Sequence, residues 1–238
     1  ASAPFFELVP LAYNLIIALA TIYVYTQIAD FLIPAPDPPS SAAREFKKTA
    51  VAMPLIFATN LLGLAFTGME HSLQVLLCAA VVLGVVRMLA DQAVPGWLVA
   101  ALIIAPLARY EALAVTLPAL ALLFLRRRWK AAGLALGGTI VSLGAFSLFL
   151  RSHGLGWLPT SVFAKVSFAG YRPTPNFIVD HIRFNLDLPQ GKVLAGMMLA
   201  LVLLAVARPH APWPERALGL LAAGGALAHL SAGQFGWM

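Results

Sequence analysis

"LIIAPLARYEALAV", residues Leu102 to Val115, sets Arg109-Tyr110-Glu111 between two apolar runs. The whole apolar region runs from Trp97 to Leu125, which is 125 − 97 + 1 = 29 residues. It is either one long tilted helix with charges at its middle or two short helices that turn at the tripeptide. The fold depends on which. An ionised side chain at the centre of a bilayer costs about 2.5 kcal/mol or more unless protein or water surrounds it.

Composition supplies the setting. Of 238 residues, 61% are hydrophobic and 11% charged, and the mean hydropathy is +0.85. A soluble domain carries about a quarter of its residues as charges. The chain therefore reads as an all-α polytopic membrane protein, one transmembrane domain over residues 1–238. A span needs about 20 apolar residues. Six further runs approach that length: Val9–Leu32, Thr49–Thr67, Ser72–Ala90, Ala131–Leu150, Lys192–Ala207 and Ala217–Leu230.

Basic residues gather on the cytoplasmic side of membrane proteins, and this decides the open question. With a turn at Arg109–Glu111 and "LRRRWK" (Leu125–Lys130) in the cytoplasm, ten of the 16 basic residues lie inside. These are Arg44, Lys47, Lys48, Arg87, Arg126, Arg127, Arg128, Lys130, Arg208 and Arg216. A single helix would move the first four to the other side. The turned pair is preferred, and Pro106 helps to end its first arm. Trp97, Trp129, Trp157, Trp213 and Trp237 then all fall near span ends, as an interfacial belt requires. The expectation is eight membrane segments, both termini outside the cytoplasm, and a proline-rich cytoplasmic linker, "PAPDPPSSAAREFKK", after the first. The arms reach roughly 18 and 21 Å, short of the roughly 30 Å hydrocarbon core. The turn is therefore expected in a recess lined by protein or water and open to the outer side.

Other features gather on that side. "TGMEHSLQ" (Thr67–Gln74) is a tight turn in which Gly68 releases one helix and Glu70-His71 start the next. Glu70 and His71 either complement a helix dipole or face the same recess as Arg109 and Glu111. Arg109 and Glu111 are also readable as a structural ion lock. The outer loop, residues 151–191, contains "LPTSVFAKVSF", expected as a short helix carrying Lys165 and capped by Thr160-Ser161, and then a rigid turn with Tyr171 and Arg172. "TPNFIVDHIRFN" reads as an interfacial helix with Phe177, Ile178 and Ile182 against lipid and Asp180 and Arg183 facing away. Lys165, Arg172 and Arg183 are suited to headgroup contact or to holding a lipid-linked phosphate.

Several classes fall away. The net charge of +6 and the pI of about 9.8 come from cations at span ends, which points to membrane lipids and topology and away from nucleic acid. The lone Cys78 excludes an intrachain disulfide, and no zinc, calcium, P-loop or hydrolase spacing is present. Gly133 and Gly137 read as a helix-packing pair, and Asn60 and His229 as interhelical hydrogen-bonders. The opening Ala1, with no signal-peptide pattern, is expected to begin a piece of a longer protein.

The ordered set "TGMEHSLQ", "APLARYEALAV" with "LLFLRRRWKAAG", and "GWLPTSVFAK" resembles the bacterial GT-C class of integral membrane glycosyltransferases, near the mycobacterial terminal arabinofuranosyltransferase family. The resemblance covers roughly Thr49 to Ser167. It implies transfer of a sugar from a polyprenyl-phosphate donor to a glycan, lipid or protein acceptor on the extracytoplasmic face of the bacterial inner membrane. Under it, Glu70 and Glu111 are accessory catalytic carboxylates, and His71, Arg109, Tyr110, Lys165, Tyr171 and Arg172 bind substrate. It assigns no metal ligand here and leaves a divalent cation open. Tyr110 stands where the family usually has proline, and Thr160 where it usually has asparagine. The acidic pair that supplies the family's catalytic base is not in this sequence, so that base is expected upstream of Ala1. The alternative is a transporter or flippase of lipid-linked sugars, which a charged membrane cavity also fits. No internal symmetry supports it.

Overall fold

A computed structural model describes residues 8–32, 41–67, 71–157, 176–207, 210 and 213–232. Among them the chain is α-helical, with no strand. It divides into two compact units, Ala1–Arg109 and Tyr110–Met238.

The first unit holds α1 (Leu8–Leu32), α2 (Ser41–Ala58), α3 (Leu61–Thr67), α4 (His71–Asp91) and α5 (Gly96–Ala108). Helix α4 is its centre and packs on α1, α3 and α5. Tyr25 and Ile28 of α1, Ala52 of α2, and Ala79 and Leu83 of α4 bury one another in a common core. The run expected as one helix over Thr49–Thr67 is instead broken. Asn60 stands in the left-handed region at φ 46°, a conformation that asparagine tolerates better than most residues. Its carbonyl accepts from Leu64 N–H and so begins α3. Asn60 is exposed and serves as a helix breaker, not as the interhelical hydrogen-bonder expected.

The second unit begins with a single 3₁₀ turn, Tyr110–Ala112. It continues through α6 (Leu113–Leu125), α7 (Trp129–Ser152), α8 (Phe177–Asp187), α9 (Pro189–Ala207) and α10 (Trp213–Ala232). Helix α10 packs on α6, α8 and α9. Glycines allow two of those approaches. A Cβ on Gly225 would lie 3.0 Å from the Ala114 carbonyl oxygen, and one on Gly219 would lie 3.5 Å from that of Leu201. Arg216 Nε donates to the Ala205 carbonyl at 3.0 Å, which satisfies an acceptor in the last turn of α9. The expected packing role of Gly133 and Gly137 is not seen, because a Cβ at either would meet open space.

Four helices are long and apolar enough to cross a membrane: α1, α4, α7 and α9. Many of their large apolar side chains face outward, among them Ile16, Leu19, Val141, Leu148, Val193 and Leu203. Helices α5 and α6 are short, at 13 residues each, and are separated by the break at Arg109–Ala112 that the sequence predicts. Trp97, Trp129 and Trp213 each stand at or next to the first residue of a helix, as expected for span ends. The outer-loop helix expected around Lys165 lies outside the described residues.

The joint between α8 and α9 is the tightest place in the second unit. A Cβ on Gly191 would fall 1.8 Å from the Asn185 carbonyl oxygen, which is backbone and cannot swing away. Gly191→Ala should therefore cost about 3 kcal/mol or prevent folding, as severe overpacking does. Gly196→Ala, on the same helix but in open space, should lose nothing. Thermal melts of the two detergent-solubilised variants check the contrast.

Candidate functional site

Helix α5 ends because Pro106 removes a donor from its last turn and the backbone opens out at Arg109, at φ −157° and ψ 135°. Arg109 N–H still bonds the Ala105 carbonyl at 3.1 Å, so the residue is tied to the helix end while its side chain leaves the axis. Helix α4 begins at His71. The next residue, Ser72, is fully buried and donates its hydroxyl to the Leu64 carbonyl of α3 at 3.2 Å, which anchors that end of α4.

Packing of α5 on α4 brings the two ends together. Arg109 Nη1 contacts His71 Nε2 across 38 positions of sequence. A guanidinium has donors only, so in this contact the imidazole nitrogen is the acceptor. Both residues are half-buried. His71 and Arg109, two of the residues expected to face one recess, are thus in contact.

Tyr110 and Glu111 follow directly in the 3₁₀ turn and are also half-buried. The Tyr110 hydroxyl is enclosed with no hydrogen-bond partner among the described residues. Buried polar atoms nearly always have a partner, so an orphan hydroxyl marks a place where a water or ligand would complete the bonding. Thr116, on α6, buries a second such hydroxyl. Glu111 stands just ahead of α6, where a carboxylate complements the helix dipole.

The structure therefore places four of the eight site residues read from the sequence: His71, Arg109, Tyr110 and Glu111. Glu70, Lys165, Tyr171 and Arg172 lie outside the described residues. Among the described residues no three His, Cys, Asp or Glu side chains gather to hold a metal ion.

Comparison with family models, curated proteins and solved structures finds no match. The site is thus read from its own chemistry.

One polar pair escaped the sequence reading. On α8, His181 is 2% exposed and Asn185 fully buried, while Ile178 is 59% exposed. Asn185 Nδ2 donates to the Leu230 carbonyl of α10 at 2.8 Å. Ile178 faces outward as expected, but Ile182 and Asp180 are both half-buried, so the expected division of that helix is corrected. The i, i+4 spacing of a histidine and an asparagine was the available signal.

Burial pushes the His181 imidazole below its ordinary value of 6.5. Above that value both folded and unfolded chains hold it neutral. As pH falls below 6.5 the unfolded chain takes up a proton that the folded chain refuses, and stability drops until the folded-state value is passed. Melting temperatures in detergent, followed from about pH 7.5 to about 5.5, should fall more steeply for the natural protein than for His181→Gln. Parallel curves would remove His181 from the acid sensitivity.

Proposed function

We propose that the chain belongs to an integral membrane glycosyltransferase of the GT-C kind. It would draw a sugar from a polyprenyl-phosphate donor and pass it to a cell-envelope acceptor on the extracytoplasmic side of a bacterial inner membrane. In this reading eight segments enter the bilayer, two of them the short helices α5 and α6. The observation that carries the reading is the Arg109–His71 contact. It holds a cation at the C-terminal end of a helix too short to cross hydrocarbon, with an enclosed tyrosine hydroxyl next in the chain.

The chemistry needs such a cation. The acceptor hydroxyl oxygen attacks the anomeric carbon as the bond from that carbon to the phosphate oxygen breaks. The electron pair of the broken bond leaves with the polyprenyl phosphate, and a carboxylate takes the hydroxyl proton. Negative charge grows on the departing phosphate, where a fixed guanidinium is worth most. His71 supports this role, because its contact orients the Arg109 guanidinium. Tyr110 adds a neutral donor. Glu111 and Glu70 take accessory parts, and Lys165, Tyr171 and Arg172 approach the donor from the outer loop.

Arg109→Ala and Glu111→Gln should each lower the transfer rate about 100-fold while the protein still reaches the membrane. Rates equal to the natural enzyme for both variants, assayed in the full-length protein with polyprenyl-phosphate sugars, would refute the proposal. Lys165→Ala should raise the apparent KM for the lipid-linked donor about tenfold and leave that for the acceptor unchanged. Varying each substrate in turn measures this.

One observation favours a second reading, a flippase of lipid-linked sugars. Helix α2 and helix α3 are separated at Thr59–Asn60, and transporters bind substrate at such discontinuous helices. Vesicles containing the protein and donor but no acceptor discriminate the two. Movement of donor between leaflets indicates the flippase, and product on adding acceptor indicates the transferase.

A further inference from the structure

We propose that the turn between α6 and α7 binds the phosphate of an acidic glycerophospholipid headgroup. This site is independent of the transferase reading and uses none of its residues.

Four cations fall within five positions: Arg126, Arg127, Arg128 and Lys130. The three arginines form the connection between α6 and α7, and Lys130 is the second residue of α7. The main chain there is already occupied. The amides of Arg126, Arg127 and Arg128 bond the carbonyls of Leu122, Phe124 and Leu123 at 2.9 Å each. The turn therefore offers its surroundings side-chain cations. Arg127 takes φ 55°, a left-handed conformation that glycine would adopt without cost. A chain that needed only a turn would be better served by glycine there.

Arg127 and Lys130 are both exposed, and among the described residues neither forms an ion pair. Their counter-charge has to come from outside the described chain. The flanking side chains say what carries it. Leu125 is 73% exposed and Trp129 60% exposed, one on each side of the three arginines. The Trp129 ring leans on Phe124, with centroids 5.7 Å apart and planes tilted by 56°, so its position is fixed from α6. Helix α7, which starts at Trp129, is one of the four long enough to cross a membrane.

A free phosphate would satisfy the cations and leave Leu125 and Trp129 in water. A phospholipid satisfies both, with its phosphate against the guanidinium and ammonium groups and its acyl region against the leucine and the indole. Charge alone near a span is enough to set topology. A fixed and exposed indole, an exposed leucine and a left-handed arginine go beyond that requirement.

The test uses the whole chain, purified in a mild detergent and titrated with an acidic phospholipid, phosphatidylglycerol, or a zwitterionic one, phosphatidylcholine. Native mass spectrometry reads the retained lipid. The natural chain should retain phosphatidylglycerol and exchange phosphatidylcholine freely. The double variant Arg127→Gln, Lys130→Gln should weaken phosphatidylglycerol retention about tenfold, since each cation at a membrane surface contributes about a fivefold preference at most. The charge-keeping double variant Arg127→Lys, Lys130→Arg should retain it, which separates lost charge from lost fold. Inorganic phosphate should displace the lipid no better than chloride at equal ionic strength. Equal retention of the two lipids by the natural chain would overturn the proposal. So would undiminished retention by the glutamine variant, and so would displacement by phosphate where chloride has no effect.

Discussion

The approach of α5 to α4 at Gly84 governs the first unit and with it the candidate site. A Cβ on Gly84 would lie 2.8 Å from Leu98 Cδ1 and 3.0 Å from the Trp97 ring. Its absence lets Leu98, fully buried, seat directly on the α4 backbone. That contact sets a register. From Gly84 back to His71 is 84 − 71 = 13 residues, or roughly 20 Å of helix. From Leu98 on to Arg109 is 109 − 98 = 11 residues, roughly 17 Å. The extended backbone at Arg109 and the reach of an arginine side chain cover the difference. The guanidinium therefore meets the imidazole because two helix lengths were counted from one small residue.

The opposite end of the same unit shows the same logic with other groups. Arg87 Nη2 donates to Gln27 Oε1 at 3.0 Å, and its guanidinium lies 5.9 Å from the centre of the Trp97 ring. Lys48 Nζ is 2.9 Å from Asp30 and 3.1 Å from Glu45. Hydrocarbon offers nothing to an unpaired charge or an open peptide group, so a helix pair in it must collect its polar side chains at its ends. The two ends differ in kind. At the end with Lys48 a cation is neutralised by carboxylates. At the other, the guanidinium of Arg109 contacts the imidazole of His71.

Much of this was legible in the sequence, and what was not shares a cause. The expected runs Val9–Leu32, Ser72–Ala90, Ala131–Leu150 and Lys192–Ala207 lie within α1, α4, α7 and α9, since hydropathy over 20 residues is a sum that tolerates local error. The break at Arg109–Ala112 was legible because proline and charge both announce it. The break at Asn60 was not. It rests on one backbone angle in an unbroken apolar run, and hydropathy carries no information on φ. The partner of Arg109 was not legible either. Sequence logic seeks a carboxylate for a guanidinium and looked to Glu111, and the contact with a histidine 38 positions away, at the start of another helix, carries no local signal.

Helix α8 presses the point furthest. Its inward face carries His181 and Asn185, and its outward face carries Ile178, Val179 and Phe184. In water this arrangement would be inverted and unstable. Next to lipid it follows from solvation, because apolar side chains lose nothing by facing hydrocarbon, while amide and imidazole groups gain by turning toward other polar groups. Asn185 does so by bonding the Leu230 carbonyl, one of the last-turn acceptors of α10 that has no partner within its own helix. One side-chain amide thus closes a helix end and fixes α8 against α10. The same bond holds the Asn185 region in place, and the Asn185 carbonyl is the atom that leaves no room for a side chain at Gly191. The polar face of α8 and the glycine at the start of α9 are in this way two consequences of a single requirement, that no peptide group face lipid unsatisfied.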